Sequence, residues 1–153
     1  MSKKYHKIQS IFKRDPENSY KTFLEGQWSC PEFEMLANAN IWIFEEKIDG
    51  MNIRIIADGE GNVEFRGKTD NAQLPDELVN HLAYTFKPEM FTGPITLYGE
   101  GFGPKIQKGD LYGDTQRFIL LDANVNGQWL TRKSVERLAE HLNCPIVSVL
   151  GVS

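Results

Sequence analysis

Cysteine is scarce in this 153-residue sequence: Cys30 and Cys144 stand far apart, without the close pairing of a metal-ligand motif. Both read as reduced thiols of a cytosol-like compartment. No apolar run approaches the roughly 18 residues that a membrane-spanning helix needs, so no membrane partner is expected. The opening MSKKYHKIQ lacks the apolar core of a signal peptide, and a cytoplasmic location is expected. Internal repeats, low-complexity tracts and linkers are also missing. Nor is there an excess of positive charge, since 17 Lys and Arg face 21 Asp and Glu, for a net charge of −4. Bulk charge therefore gives no sign of a nucleic-acid partner. Phosphate binding depends on local clusters instead, and Lys3, Lys4 and Lys7, then Lys13 and Arg14, then Lys105 and Lys108 supply candidates. Such clusters are more often plain solvated surface, so charge alone identifies no partner.

What is present suits one soluble domain with a single core, at 41% hydrophobic and 25% charged residues. Residues 41–44 (IWIF), 53–56 (IRII) and 62–66 (NVEFR) are β-prone runs separated by the turn signals Asp49-Gly50, Asp58-Gly59 and Glu60-Gly61. A helix is expected from Pro75 to Phe86. Proline suits its first position, Asp76 and Glu77 suit its positive end, and Leu74, Leu78, Leu82 and Phe86 recur every four residues. Residues 94–100 and 117–123 read as strands joined by a Gly-rich connection. Asn126-Gly127 then turns the chain into 128–130. Thr131 caps a second helix whose buried stripe is Val135, Leu138, Ala139 and Leu142, ended by Asn143 and Pro145. A last strand is expected from Ile146 to Leu150. Many strands with tight turns and two helices predict an α+β domain on a largely antiparallel sheet.

The segment Glu45 to Ile56 (EEKIDGMNIRII) is the most informative. Lys47 follows an apolar run and precedes Asp-Gly. Two readings fit such a lysine. It can be an edge charge that blocks strand pairing. Or it can be a nucleophile, held in line by a rigid strand end, which attacks when its amine is neutral. Gly50 would then let the backbone pass close to a nucleotide.

Lys47-Ile48-Asp49-Gly50 matches the KxDG nucleotidyl-acceptor motif of DNA ligases, RNA ligases and mRNA capping enzymes, and the wider EKIDGMNIRI resembles phage-type ATP-dependent RNA ligases. Three further blocks resemble that family in its own order: FRGKTDNAQLP (65–75), LYGEGFGPKIQKGD (97–110) and RFILLDANVNGQWL (117–130). The resemblance implies a ligase-type nucleotidyltransferase domain over residues 1–153. It implies ATP as substrate, Mg²⁺ as cofactor, and RNA ends or nicked RNA as partner. A phage origin would make the compartment the host cytoplasm.

By the same resemblance Lys47 would attack ATP to form lysyl-AMP. Glu46 would help recognise adenine, Arg66 would bind a ribose or phosphate oxygen, and Glu100 would contact the ribose or a metal-bound water. Phe118 would stack on the base, and Asn52 and Lys68 would contact substrate. Each has a plainer reading beside it: strand-edge charge for Glu46, surface ion pair for Arg66, solvated carboxylate between turn glycines for Glu100, core aromatic for Phe118. Asn52 stands where DNA ligases carry arginine (KxDGxR), which favours the RNA ligases. Asp49 is shared with the DNA ligase pattern, since some RNA ligases have His there. Two later family segments, a Glu-Gly segment and a Lys-x-Lys strand, do not occur before VLGVS, so the domain is expected to be C-terminally truncated. A DNA ligase or capping enzyme, or a non-catalytic nucleotide- or RNA-binding relative, remain the other readings.

Overall fold

The computed structural model describes residues 3–37 and 42–152. Its elements run β1 (Phe12–Arg14), β2 (Phe23–Trp28), α1 (Pro31–Leu36), β3 (Ile43–Glu45), β4 (Met51–Ala57), β5 (Val63–Arg66), α2 (Asp76–Thr85), β6 (Ile95–Phe102), β7 (Arg117–Val125), β8 (Gln128–Trp129), α3 (Arg132–His141) and β9 (Val149–Val152). They form two compact units. One holds residues 3–5 and 45–148, the other residues 6–37, 42–44 and 149–152.

The first unit is built on a five-stranded sheet in the order β5-β4-β6-β7-β8, with every neighbouring pair antiparallel. Successive side chains of a strand point to opposite faces, so each ladder pair shares a face. Ile53, Ile55, Phe65, Leu97 and Phe118 lie on one side, against α2 and α3. There Leu78, Leu82, Phe86, Val135, Ala139 and Leu142 complete the core. Each fully buried Ile, Leu, Val or Phe among them contributes about 1.5–3 kcal/mol. Helix α2 starts right after Pro75, with Asp76 and Glu77 in the first turn, where the helix dipole favours negative charge. Helix α3 is capped by Thr131, whose hydroxyl accepts the Ser134 N–H at 3.3 Å. The β7–β8 turn uses left-handed Asn126 (φ 52°) and Gly127 (φ 85°), as its Asn-Gly sequence predicts.

The chain beyond α3 returns to the sheet along β7. Leu120 donates its N–H to the Pro145 carbonyl at 2.8 Å, and Val147 donates to the Leu120 carbonyl at 3.0 Å. The expected last strand is thus two pieces, a bridge at Ile146 and β9 at Val149–Val152.

In the second unit β1 and β2 pair antiparallel, with Phe12 against Trp28 at a ring separation of 5.0 Å. The Arg14 guanidinium lies 4.6 Å over the Phe23 ring. Strand β3 pairs with β9. Helix α1 is a third helix that no pattern in residues 30–37 announced, and it buries no side chain. The run expected at 41–44 forms a strand from Ile43 onward, β3, but not a buried one. Ile41 lies outside the described residues, and Ile43 and Phe44 are exposed.

The fold class is as expected: α+β, on a largely antiparallel sheet, with three helices among the described residues.

Candidate active site

Lys47 is exposed and sits in the short stretch between β3 and β4, past the end of the strand rather than on it. That stretch is tied down on both sides. Upstream, Glu46 donates its N–H to the Ser148 carbonyl at 3.0 Å. Arg132 at the start of α3 spans the same place, donating to Glu45 at 3.0 Å and to the Val147 carbonyl at 2.8 Å. Downstream, the Asp49 N–H donates to the Tyr112 hydroxyl at 2.9 Å. Gly50 passes against β6, so closely that a β-carbon there would fall 2.2 Å from the Gly101 carbonyl oxygen. The glycine is needed for this close approach of backbone to backbone.

The sheet face opposite α2 and α3 carries the polar candidates. Asn52 pairs with Glu100, Glu100 with Ile119, Arg54 with Tyr98, and Arg54 with Arg66. Asn52, Arg66 and Glu100 are therefore brought together on one face beside the Lys47 loop, and all three are half-buried. Two arginines directly opposite would repel. Here Arg54 is neutralised by Asp70 at 2.7 Å and also donates to the Gly67 carbonyl at 2.9 Å. Arg54 thereby pins the loop that carries exposed Lys68, a buried role that no sequence pattern signalled. Arg66 is less engaged: its nearest carboxylate is Glu64 at 3.5 Å, and it keeps 43% of its side-chain exposure. Glu46 is an exposed charge at the start of the Lys47 stretch.

Phe118 does not join this face. Its ring is buried, 1% exposed, and packs edge-on against Phe86 at 5.5 Å. It leans so far over β6 that a β-carbon on Gly99 would meet its ring at 2.3 Å. The glycines flanking Glu100 accordingly serve core packing, Gly99 under Phe118 and Gly101 under Leu78. The β7 side chain on the Glu100 face is Ile119, which is half-buried. The far end of the same face is covered by Tyr5, which stacks on Tyr98 at 5.3 Å and reaches Asp122 at 3.4 Å.

Burial, with the neighbouring Asp49 charge, pushes the Glu100 carboxyl up to about 7 from an ordinary 4.5; Lys47 pulls it down more weakly. A raised carboxyl stabilises the fold below pH 4.5 and loses that contribution as pH rises through about 7. With metal chelated, thermal melts from pH 4 to 8 should therefore show the wild type falling relative to Glu100→Gln across this window. Above it the variant should be the more stable protein. Parallel curves would refute the shift.

Two adjacent carboxylates, one of them held partly protonated, form a place where a hard divalent cation relieves repulsion. No cluster of three or more His, Cys, Asp or Glu occurs among the described residues. Asp49 and Glu100 are two carboxylates of the kind a hard divalent cation takes alongside other oxygen ligands. None of the described helices is long and apolar enough to cross a membrane.

The RNA ligase family model matches residues 40–153, well over half of the chain. The chain belongs to the RNA ligase family. Among solved structures, a Naegleria gruberi RNA ligase mutant with AMP and Mn superposes at a TM-score of 0.70 and 17% identity, covering 95% of this chain and 44% of that one. A mutant of the same ligase with ATP and Mn gives 0.68 and 17%, covering 95% and 43%. The ligase with PPi gives 0.64 and 18%, covering 74% and 37%. This chain thus spans less than half the length of these relatives, and at such identities the likeness is one of fold. No curated protein matches. Within this RNA ligase family chain, the matched residues contain the whole Lys47 loop and the Asn52, Arg66 and Glu100 face.

Proposed function

We propose that this chain carries the nucleotide-activating site of an ATP-dependent RNA ligase, with Lys47 as the residue that takes AMP. The observation that carries this reading is the Lys47 loop, tied at Glu46 and Asp49 and opening beside a face that collects Asn52, Arg66 and Glu100. The neutral Lys47 amine would form a nitrogen–phosphorus bond at the α-phosphorus of ATP. The bond from that phosphorus to the bridging oxygen breaks, pyrophosphate leaves, and the amine proton passes to solvent. Positioning and charge neutralisation dominate such a step. A Mg²⁺ ion held near Glu100 and Asp49 would neutralise phosphate oxygens.

Arg66, with spare donor capacity, suits a ribose or phosphate oxygen through its planar fork. Asn52 and Lys68 flank it as further contacts to substrate. In the steps that follow, AMP would move to an RNA 5′-phosphate, and a 3′-hydroxyl would attack that activated end and release AMP. The EKIDGMNIRI string, with Asn52 where DNA ligases carry arginine, supports an RNA ligase of the phage type over a DNA ligase or capping enzyme.

The test is the intact mass of the chain after incubation with ATP and Mg²⁺. Gain of one AMP, mapped to Lys47, is the expected result. An adduct at another residue, or none at any ATP concentration, would refute the reading for this chain.

A further inference from the structure

The connection from β6 to β7, residues 103–116, is a closed Ω-shaped loop. Its ends nearly touch: a β-carbon on Gly103 would lie 2.5 Å from the Thr115 carbonyl oxygen. Inside it Gly109 crosses Gly103 so tightly that a β-carbon would stand 1.7 Å from the Gly103 carbonyl oxygen. Ile106 plugs into the core, and the Gln116 amide donates to the Pro104 carbonyl at 2.9 Å. Lys105 and Gln107 hold left-handed backbone at φ 68° and 50°. Non-glycine residues keep that conformation where their surroundings over-determine it.

This closely packed loop presents Tyr112. The Tyr112 ring packs edge-on against Phe102 at 5.5 Å, and its carbonyl accepts from the Arg117 guanidinium at 2.7 Å. Arg117 in turn lies 5.2 Å over the same Phe102 ring. So braced, the Tyr112 hydroxyl accepts the Asp49 N–H from a residue 63 positions earlier in the chain. Around Asp49 the stretch between β3 and β4 forms no strand, and a distant side chain supplies the tie.

We infer that Tyr112 is a positioning residue for the Lys47 loop, with Phe102 and Arg117 holding the phenol in place. The inference rests on the reading of Lys47 as the nucleophile. Fixing the Asp49 peptide fixes the backbone two residues from the amine, and a reacting atom gains rate from being held in line. Tyr112→Phe removes the hydroxyl alone and keeps the ring against Phe102.

The experiment compares wild type and Tyr112→Phe by three measurements: thermal melting, NMR-resolved exchange of the Asp49 amide, and the first-turnover rate of AMP uptake. Expected in the variant are an unchanged melting temperature and faster Asp49 exchange. AMP uptake at saturating ATP should be slower by about tenfold, the worth of one hydrogen bond, with an unchanged half-saturating ATP concentration. Unaltered exchange, or an unaltered rate, overturns the inference. A variant that melts markedly lower also overturns it, because the phenol would then serve the fold at large. If the wild type takes no AMP, the reading of Lys47 fails, and the exchange measurement alone decides. Faster Asp49 exchange then upholds Tyr112 as the anchor of the loop, and unaltered exchange overturns it.

Discussion

Lys47→Arg is expected to take up no AMP while still binding ATP. The substitution separates the two things a lysine offers, a positive charge and a lone pair. Arginine keeps the charge, but its guanidinium stays protonated at any pH a protein survives and cannot supply the electron pair for a bond to phosphorus. Position 47 is exposed, and the ties that hold its loop run through the Glu46 and Asp49 backbone. The larger side chain should therefore fit without disturbing the fold, and melting should shift by less than about 0.5 kcal/mol equivalent. Intact mass reads the adduct, and a nucleotide-binding titration reads the affinity. Persistence of a full adduct in Lys47→Arg would remove Lys47 from the chemistry. Loss of ATP binding together with the adduct would show that position 47 serves binding before it serves bond formation.

How far the sequence foretold this arrangement differs between the two units. In the first, the β-runs and both helices were legible because they bury one face each. Leu78, Leu82 and Phe86 recur at helical spacing, and Met51, Ile53, Ile55 and Ala57 alternate along β4. In the second, β1, β2 and α1 bury no side chain, so no periodicity marks them. Of the candidate site, the Lys47 loop and the Asn52, Arg66 and Glu100 face were legible through motif blocks. Their supports were not. Arg54 is a buried charge matched by Asp70 across 16 positions, and Tyr112 meets Asp49 across 63. Such long-range pairs leave no local pattern. The glycines around Glu100 misled for a related reason. A glycine's spacing shows that a β-carbon is unwelcome, but not whether a turn, a ligand or a neighbouring ring excludes it. Here the excluding groups are the Ile119 carbonyl and the Phe118 ring at Gly99, and Leu78 at Gly101.

Phe118→Ala carries the second large expectation, a loss of about 3–5 kcal/mol of stability from a vacated aromatic site in the core. In a domain of this size that lowers the melting temperature by on the order of 10 °C. The prediction follows from the ladder. Phe118 pairs with Gly101 and Ile119 with Glu100, so adjacent β7 residues are committed to opposite faces, and the aromatic one falls to the core. A base lying over the Glu100 face would meet the half-buried Ile119 instead, an aliphatic contact rather than the aromatic one that the family resemblance implies. The two positions should therefore separate cleanly. Ile119→Ala should weaken ATP binding several-fold with little change in melting, since it is half-buried and outside the packed cluster. Phe118→Ala should melt early but, at a temperature where it is folded, bind ATP as the wild type does. If Phe118→Ala instead retained its melting temperature and lost ATP affinity, the ring would have to leave the core to meet the base. The register of β6 against β7 would then differ when nucleotide is bound.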